Sequence, residues 1–269
     1  MTNLPLSKKI TMAMDPQTTE IDLLRTALII IDMQIDFLEP GGFGAALGND
    51  VSKLQRAVGP CKLALEAARA KGILVIHTRE GHRPDMTDVH PWKLNKRGMV
   101  KPTIGQPSPN GRILIRGEPG HDIIPELYPK AGEPIVDKPG KGSFYATDLE
   151  AILQARQIQT LLVCGVTSEI CVHTTIREGN DRGYHCIALA DACASYRDEF
   201  HHVAMQMISA QGGILGSVSS VEMLLKALNR MQDPATVATT GSDSASAANS
   251  VTSIESYSYM ESADSKYFM

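Results

Sequence analysis

The segment Ala27-Leu-Ile-Ile-Ile-Asp32 constrains the fold more than any other, because it is apolar and largely β-branched without alternation up to its final aspartate. A strand with one wet face alternates apolar and polar side chains, whereas an unbroken run belongs in a parallel sheet covered on both faces. Runs of the same kind recur at Ile73 to Thr78, Pro134 to Asp137, Thr160 to Gly165, Tyr184 to Ala190 and Ile214 to Val218.

Helical signals lie between these strands. Pro60 can open a helix whose face is marked by Leu63, Ala64, Ala67 and Ala68 and which Gly72 can close. Thr147-Asp-Leu-Glu150 and Ser219-Ser-Val-Glu222 have capping-box spacing. Asp198 can cap a helix carrying Val203, Ala204, Met207 and Ile208. Strands alternating with helices imply right-handed crossovers, hence an α/β domain: a doubly wound six-stranded parallel sheet, order 3-2-1-4-5-6, with helices on both faces.

This domain is expected over residues 26–231, after an N-terminal arm at 1–25. Within it, residues from about 79 to 132 break the rhythm with prolines, glycines and Trp92, as a lid or subunit contact would. Residues 232–269 turn to Ser, Ala and Thr and read as a disordered tail. A net charge of -4 with scattered basic residues gives no footprint for nucleic acid, so a small-molecule ligand is expected. No run approaches the roughly 18 apolar residues of a membrane span, and the start lacks the apolar core of a secretion signal. The five cysteines are odd in number and form no C-x-x-C pair, which argues against disulfides and zinc and for a cytoplasmic location.

In such a sheet the ligand binds beyond the carboxyl ends of the strands, where the strand order reverses, between strands 1 and 4. Asp32 closes strand 1, and Cys171 follows strand 4. If Ser168 caps the next helix, Cys171 falls in its first turn, where the helix dipole and free N–H groups lower a thiol pKa and can hold an oxyanion. A cysteine is more often packed than reactive, and Cys164, in mid-strand, is read as core. Lys138, ending strand 3 before a Pro-Gly turn, can reach the same crevice and favour a thiolate or fix a carboxylate.

Asp32-Met-Gln34-Ile-Asp-Phe37, Lys138 with Ser143-Phe144, and Gly165-Val-Thr-Ser-Glu-Ile-Cys171-Val together resemble the isochorismatase-like cysteine hydrolases. The resemblance spans about Thr26 to Asn229. It implies a catalytic triad of Asp32, Lys138 and Cys171, no cofactor, and a homo-oligomer, commonly a tetramer. It also implies a cis peptide at Val166-Thr167 that aims the N–H groups of Thr167 and Cys171 at an oxyanion. Within the family, the strings His77 to Asp85, Gly111 to Gly120, Asp122 to Pro129, Asp137 to Phe144 and Gln211 to Gly213 look like the biuret hydrolases. That likeness implies an amide substrate, biuret, cleaved to allophanate and ammonia through a thioester, with Phe37, Lys141 and Gln211 binding it.

Departures from other branches sharpen the expectation. Nicotinamidases of this fold hold a metal with an Asp-x-His and a later histidine, whereas Glu80-Gly81 precede His82 here, so no metal is expected. Isochorismatases proper generally lack the nucleophilic cysteine. Ureidoacrylate hydrolases share the triad but typically carry a Lys-Pro-Arg string where Lys138-Pro-Gly-Lys141 stands. Another amidase of this family, acting on a ureidoacrylate or nicotinamide, and a non-catalytic binding protein are the alternatives. Arg79, Glu80, His82 and Arg83 fit a lid or subunit interface as well as a substrate role.

Overall fold

The computed structural model describes residues 8–94 and 103–231. The chain divides into two units, Met1–Gln232 and Asp233–Met269, and the second, which holds the expected tail, lies outside the described residues.

Ten strands are formed among the described residues: β1 (Lys9–Met12), β2 (Thr19–Asp22), β3 (Thr26–Ile31), β4 (Leu74–Glu80), β5 (Pro107–Ser108), β6 (Gly111–Arg112), β7 (Ile135–Lys138), β8 (Thr160–Val166), β9 (His185–Ala194) and β10 (Ser217–Ser219). Six of them make one sheet in the order β10-β9-β8-β3-β4-β7. Every pairing in it is parallel. This is the doubly wound order 3-2-1-4-5-6, with the reversal between β3 and β8. All residues of β3 and β8 are buried, as the unbroken apolar runs require.

The expected arm is structured over its described part. β1 and β2 form an antiparallel hairpin whose Ile10, Met12 and Ile21 join the core. Its turn is pinned to the sheet edge by reciprocal hydrogen bonds, Asp15 N–H to Val218 O (2.8 Å) and Val218 N–H to Asp15 O (2.9 Å). The insertion likewise contributes to the core through Ile113, Leu114, Ile123, Ile124 and Leu127. Leu114 N–H donates to the buried carboxylate of Asp36 (2.8 Å). Residues 95–102 lie outside the described residues.

Helix ends and faces differ from expectation by small rotations. The helix Val58–Lys71 ends as expected on Gly72 in the left-handed conformation (φ 73°), but Pro60 is its third residue. It buries Cys61, Ala64, Leu65 and Ala68, while Leu63 points outward. In the helix Asp198–Gly213, Ala204, Met205 and Ile208 are buried, while Val203 and Met207 are exposed. Successive helical residues are about 100° apart, so one misassigned neighbour turns the whole face. The caps shift in the same way. Ser220, one residue after Ser219, accepts from Met223 N–H. Arg197 stands at the cap position ahead of Asp198, and Asp148 at that ahead of Leu149. The candidate strand Ile214 to Val218 shortens to Ser217–Ser219, because Gly213 (φ 84°) and Gly216 (φ 151°) leave the extended region. No helix among the described residues is long and apolar enough to cross a membrane.

Candidate active site

Three strand ends and one turn converge at the carboxyl edge of the sheet. β3 ends at Ile31, and Asp32 leaves it with φ 52°, a left-handed conformation that aspartate tolerates better than most residues. Its N–H donates to Thr78 O (3.2 Å) and Thr78 Oγ1 donates to Asp32 Oδ1 (2.6 Å), so β4 fixes both backbone and carboxylate. Lys138, the last residue of β7, is wholly buried and places Nζ 2.7 Å from Asp32 Oδ2. The same Nζ donates to Gly140 O (3.1 Å) and Lys141 O (3.0 Å), which satisfies an ammonium otherwise costly to bury.

β8 delivers the thiol. Gly165 sits at φ 112°, and a Cβ there would lie 2.1 Å from Ile31 O, so β8 passes β3 too closely for any side chain. The Val166–Thr167 peptide is cis. Ser168–Val172 then forms one π-helical turn, with Val172 N–H donating to Thr167 O (3.2 Å), before the helix His173–Asp181 begins. Thr167, extended at φ -89° and ψ 149°, and not Ser168, occupies the cap position, and the Ser168 hydroxyl is bound to His201 Nδ1 (2.8 Å).

The turn leaves Cys171 5% exposed, facing two carboxylates. Its Sγ donates to Glu80 Oε2 (3.5 Å), and one reactive atom from each of Asp32, Glu80 and Cys171 lies within 4.8 Å of the others. Glu80 is 1% exposed and ends β4 opposite Lys138. It bonds Lys141 Nζ through Oε1 and lies 3.9 Å from Lys138 Nζ through Oε2. The strand-end rule that singles out Asp32 and Lys138 applies equally to Glu80, but the apolar run stops at Thr78, so Glu80 reads as part of the insertion.

Burial dominates the electrostatics. It pushes the Cys171 thiol well above its ordinary pKa; Lys138 pulls back, but Asp32 and Glu80 add to the rise. The expected lowering by the helix terminus is therefore overturned, because the thiol is dry and faces two carboxylates. Burial also raises the Asp32 carboxyl, further than Lys138 lowers it. For Glu80, burial is outweighed by Lys141 and Lys138, which hold it below the usual value. Burial would depress Lys138, but Asp32, Cys171 and Glu80 hold it above the ordinary lysine value. The geometry pairs each carboxylate with an ammonium beside the thiol, Asp32 with Lys138 and Glu80 with Lys141. The positive charge that such an acidic cluster could take from a metal is supplied by Lys138 and Lys141.

Above the thiol lies a cavity of about 150 Å³ lined by Phe37, Phe43, Leu47, Asn49, Glu80, Lys141, Val166, Thr167, Ile170, Cys171 and Tyr196. Of the residues expected to bind substrate, Phe37 and Lys141 line it. Gln211 does not: it is exposed on the kinked end of the helix Asp198–Gly213. The next residues, Gly212 and Gly213, face Pro16 and the starts of β9 and β10, at the opposite edge of the sheet. Asn49, Phe43 and Tyr196 carry no motif that marks them in the sequence. Arg79 is engaged with Asp137 (2.7 Å) and Asp122 (3.0 Å), and Arg83 with Asp85 (3.3 Å). Buried His82 lies 3.4 Å from Asp88, and none of these three residues lines the cavity.

Fold and site together define a doubly wound α/β domain with a cysteine, an aspartate and a lysine buried at its switch point. Residues 26–220 match the isochorismatase domain, and the chain belongs to the isochorismatase family. It is 31% identical over 210 residues to the ureidoacrylate amidohydrolase RutB of Acinetobacter baylyi, covering 77% of this chain and 86% of that protein. Among solved structures it is similar to a cysteine hydrolase from Pseudomonas syringae pv. phaseolicola, with a TM-score of 0.66, 30% identity, and coverage of 78% of this chain and 95% of that one. It is also similar to N-carbamoylsarcosine amidase from Thermoplasma acidophilum, with a TM-score of 0.56, 25% identity, and coverage of 74% and 97%.

Proposed function

We propose that this protein is a cysteine-dependent amidohydrolase that cleaves a terminal amide of biuret, giving allophanate and ammonia. The observation that carries the reading is the burial of Asp32, Lys138 and Cys171 together beneath a small cavity. Its volume, about 150 Å³, is well under the roughly 300–1,000 Å³ of pockets that hold drug-sized ligands. Ureidoacrylate and N-carbamoylsarcosine, the compounds named for two relatives, share with biuret a terminal carbamoyl group attached to nitrogen.

Asp32 takes the thiol proton as Cys171 sulfur bonds to the terminal carbonyl carbon. Its burial-raised pKa makes it a stronger base than an ordinary carboxylate. The backbone N–H groups of Thr167 and Cys171 hold the oxyanion, a contribution worth about 10²- to 10³-fold per donor. Collapse breaks the C–N bond, Asp32 returns its proton to the departing ammonia, and a thioester remains. Water, deprotonated by Asp32, then cleaves the thioester and restores the thiol. Lys138 stays protonated and compensates the charge on Asp32 and on sulfur.

A ureido acid is the second reading, favoured by the RutB relative. Its carboxylate needs a cation, and among the described lining residues the cation is Lys141, already bound to Glu80. Ammonia release from biuret, ureidoacrylate and nicotinamide, measured side by side, tests the choice. The highest kcat/KM is expected on biuret; turnover of either other compound without turnover of biuret would sink the substrate assignment.

A further inference from the structure

The ion pair between Glu80 and Lys141 is built more firmly than a chance contact on a cavity wall. Glu80 is clamped through its backbone by the Gln34 side chain: Glu80 N–H donates to Gln34 Oε1 (2.7 Å), and Gln34 Nε2 donates to Glu80 O (3.0 Å) and to His121 O (2.8 Å). Its carboxylate is divided between Lys141 on one oxygen and the Cys171 thiol on the other. Glu80 is buried, whereas the Lys141 side chain is 46% exposed, so the carboxylate is the inner anchor and the lysine the partner that reaches solvent.

The charge count gives this anchor a consequence. Asp32 pairs with Lys138 and Glu80 with Lys141, so each carboxylate beside the thiol has its own ammonium, while Lys93, a further cation that acts on Glu80, is bound to Pro139 O (2.6 Å) and does not line the cavity. A substrate carboxylate entering the cavity would meet an ammonium already paired and a fixed negative charge behind it. Displacing that pair would leave Glu80 buried beside a second anion, which is costly. An uncharged diamide meets no such obstacle. Its N–H groups can donate to Glu80 and its carbonyl can accept from Lys141 without separating the two.

We propose that Glu80 sets the charge of the substrate: by holding Lys141 in a closed ion pair on the cavity wall, it admits uncharged amides and turns ureido acids away. The inference rests on the biuret reading, and its mechanism is exclusion by a built-in counter-charge.

The test compares biuret with N-carbamoylglycine, which replaces one terminal amide by a methylene carboxylate. Both release ammonia on hydrolysis. Because each variant is its own reference, the ratio of kcat/KM values reports selectivity even where overall turnover falls. Glu80→Gln frees Lys141, and the ratio of N-carbamoylglycine to biuret is expected to rise about tenfold or more. The double variant Glu80→Gln with Lys141→Gln removes the freed cation and should bring the ratio back towards the native value. An unchanged ratio in Glu80→Gln, or a raised one that survives loss of Lys141, would overturn the inference. A measurement on the native enzyme needs no variant to fold. As inhibitors of biuret hydrolysis, N-carbamoylglycine should bind about tenfold more weakly than neutral acetylurea, and equal inhibition would overturn the inference. A native enzyme that hydrolyses N-carbamoylglycine but not biuret would instead overturn the proposed function.

Discussion

Lys138 Nζ lies 2.7 Å from Asp32 Oδ2, although β7 and β3 are not neighbours and β4 runs between them. Two strand spacings amount to about 9.6 Å, which the long Lys138 side chain crosses over β4 to meet Asp32, itself turned off β3 and held by Thr78. The pair therefore ties three strands together where the sheet opens. Lys138→Met would leave Asp32 buried without its counter-charge. Removing one partner of a buried pair costs about 3–5 kcal/mol, so the urea midpoint should fall accordingly. A midpoint within error of the native protein would contradict this account of the pair.

The Cys171 thiol should alkylate slowly at neutral pH. Burial with Asp32 and Glu80 holds its pKa above the ordinary value, and only the thiolate reacts. The iodoacetamide rate should therefore rise at a higher pH than for a free cysteine. In Asp32→Asn the profile should move towards lower pH, because one neighbouring negative charge is gone. Turnover should nevertheless drop about 10²- to 10⁴-fold with the loss of the base. Movement of the alkylation profile in the opposite direction would refute this electrostatic picture.

Gly165→Ala places a methyl group against the Ile31 carbonyl at a residue whose φ of 112° already disfavours a side chain. The expected cost is more than about 1 kcal/mol. Turnover should also fall, since the shift opens β8 against β3 immediately before the Cys171 turn. Unfolding curves and ammonia release report the two effects separately.

His121 makes stability depend on pH. Burial pushes it down to about 4, with Arg79 and Arg116 lowering it and Asp137 raising it. As pH falls below the unfolded value near 6.5, the unfolded chain takes up a proton that the folded protein resists until about 4. The contribution is thus full above about 6.5 and lost on acidification, about 2 kcal/mol between pH 7 and pH 5. Urea titrations at those two pH values should show the loss, and His121→Gln should reduce it.

Much of this arrangement is legible in the sequence, for reasons that also mark where legibility stops. Unbroken apolar runs reveal buried parallel strands, and Asp32 and Lys138 are visible because each follows such a run. Glu80 obeys the same rule but reads as part of the insertion, with a lid or interface role as open as a substrate one, since β4 continues two polar residues past Thr78 to pair with β7. Gln211 carries a family string, yet a helix rising about 1.5 Å per residue carries it from the active edge at Asp198 to the far edge of the sheet. Pocket walls such as Asn49 and Tyr196 come from loops whose placement depends on contacts distant in sequence. The Tyr196 hydroxyl, for example, donates to Phe37 O (2.8 Å). The raised thiol pKa is equally out of reach, because position in a turn says nothing of how dry that turn becomes.

If Cys171 is the nucleophile of amide hydrolysis, ammonia release from biuret by the native protein and by Cys171→Ser is the decisive comparison. The native protein should release ammonia at a steady rate, and acid quenching during turnover should trap an adduct on Cys171 with the mass of biuret less ammonia. Cys171→Ser, folded as judged by its urea midpoint, should release none above background. Native-like ammonia release from Cys171→Ser would contradict the nucleophile's role.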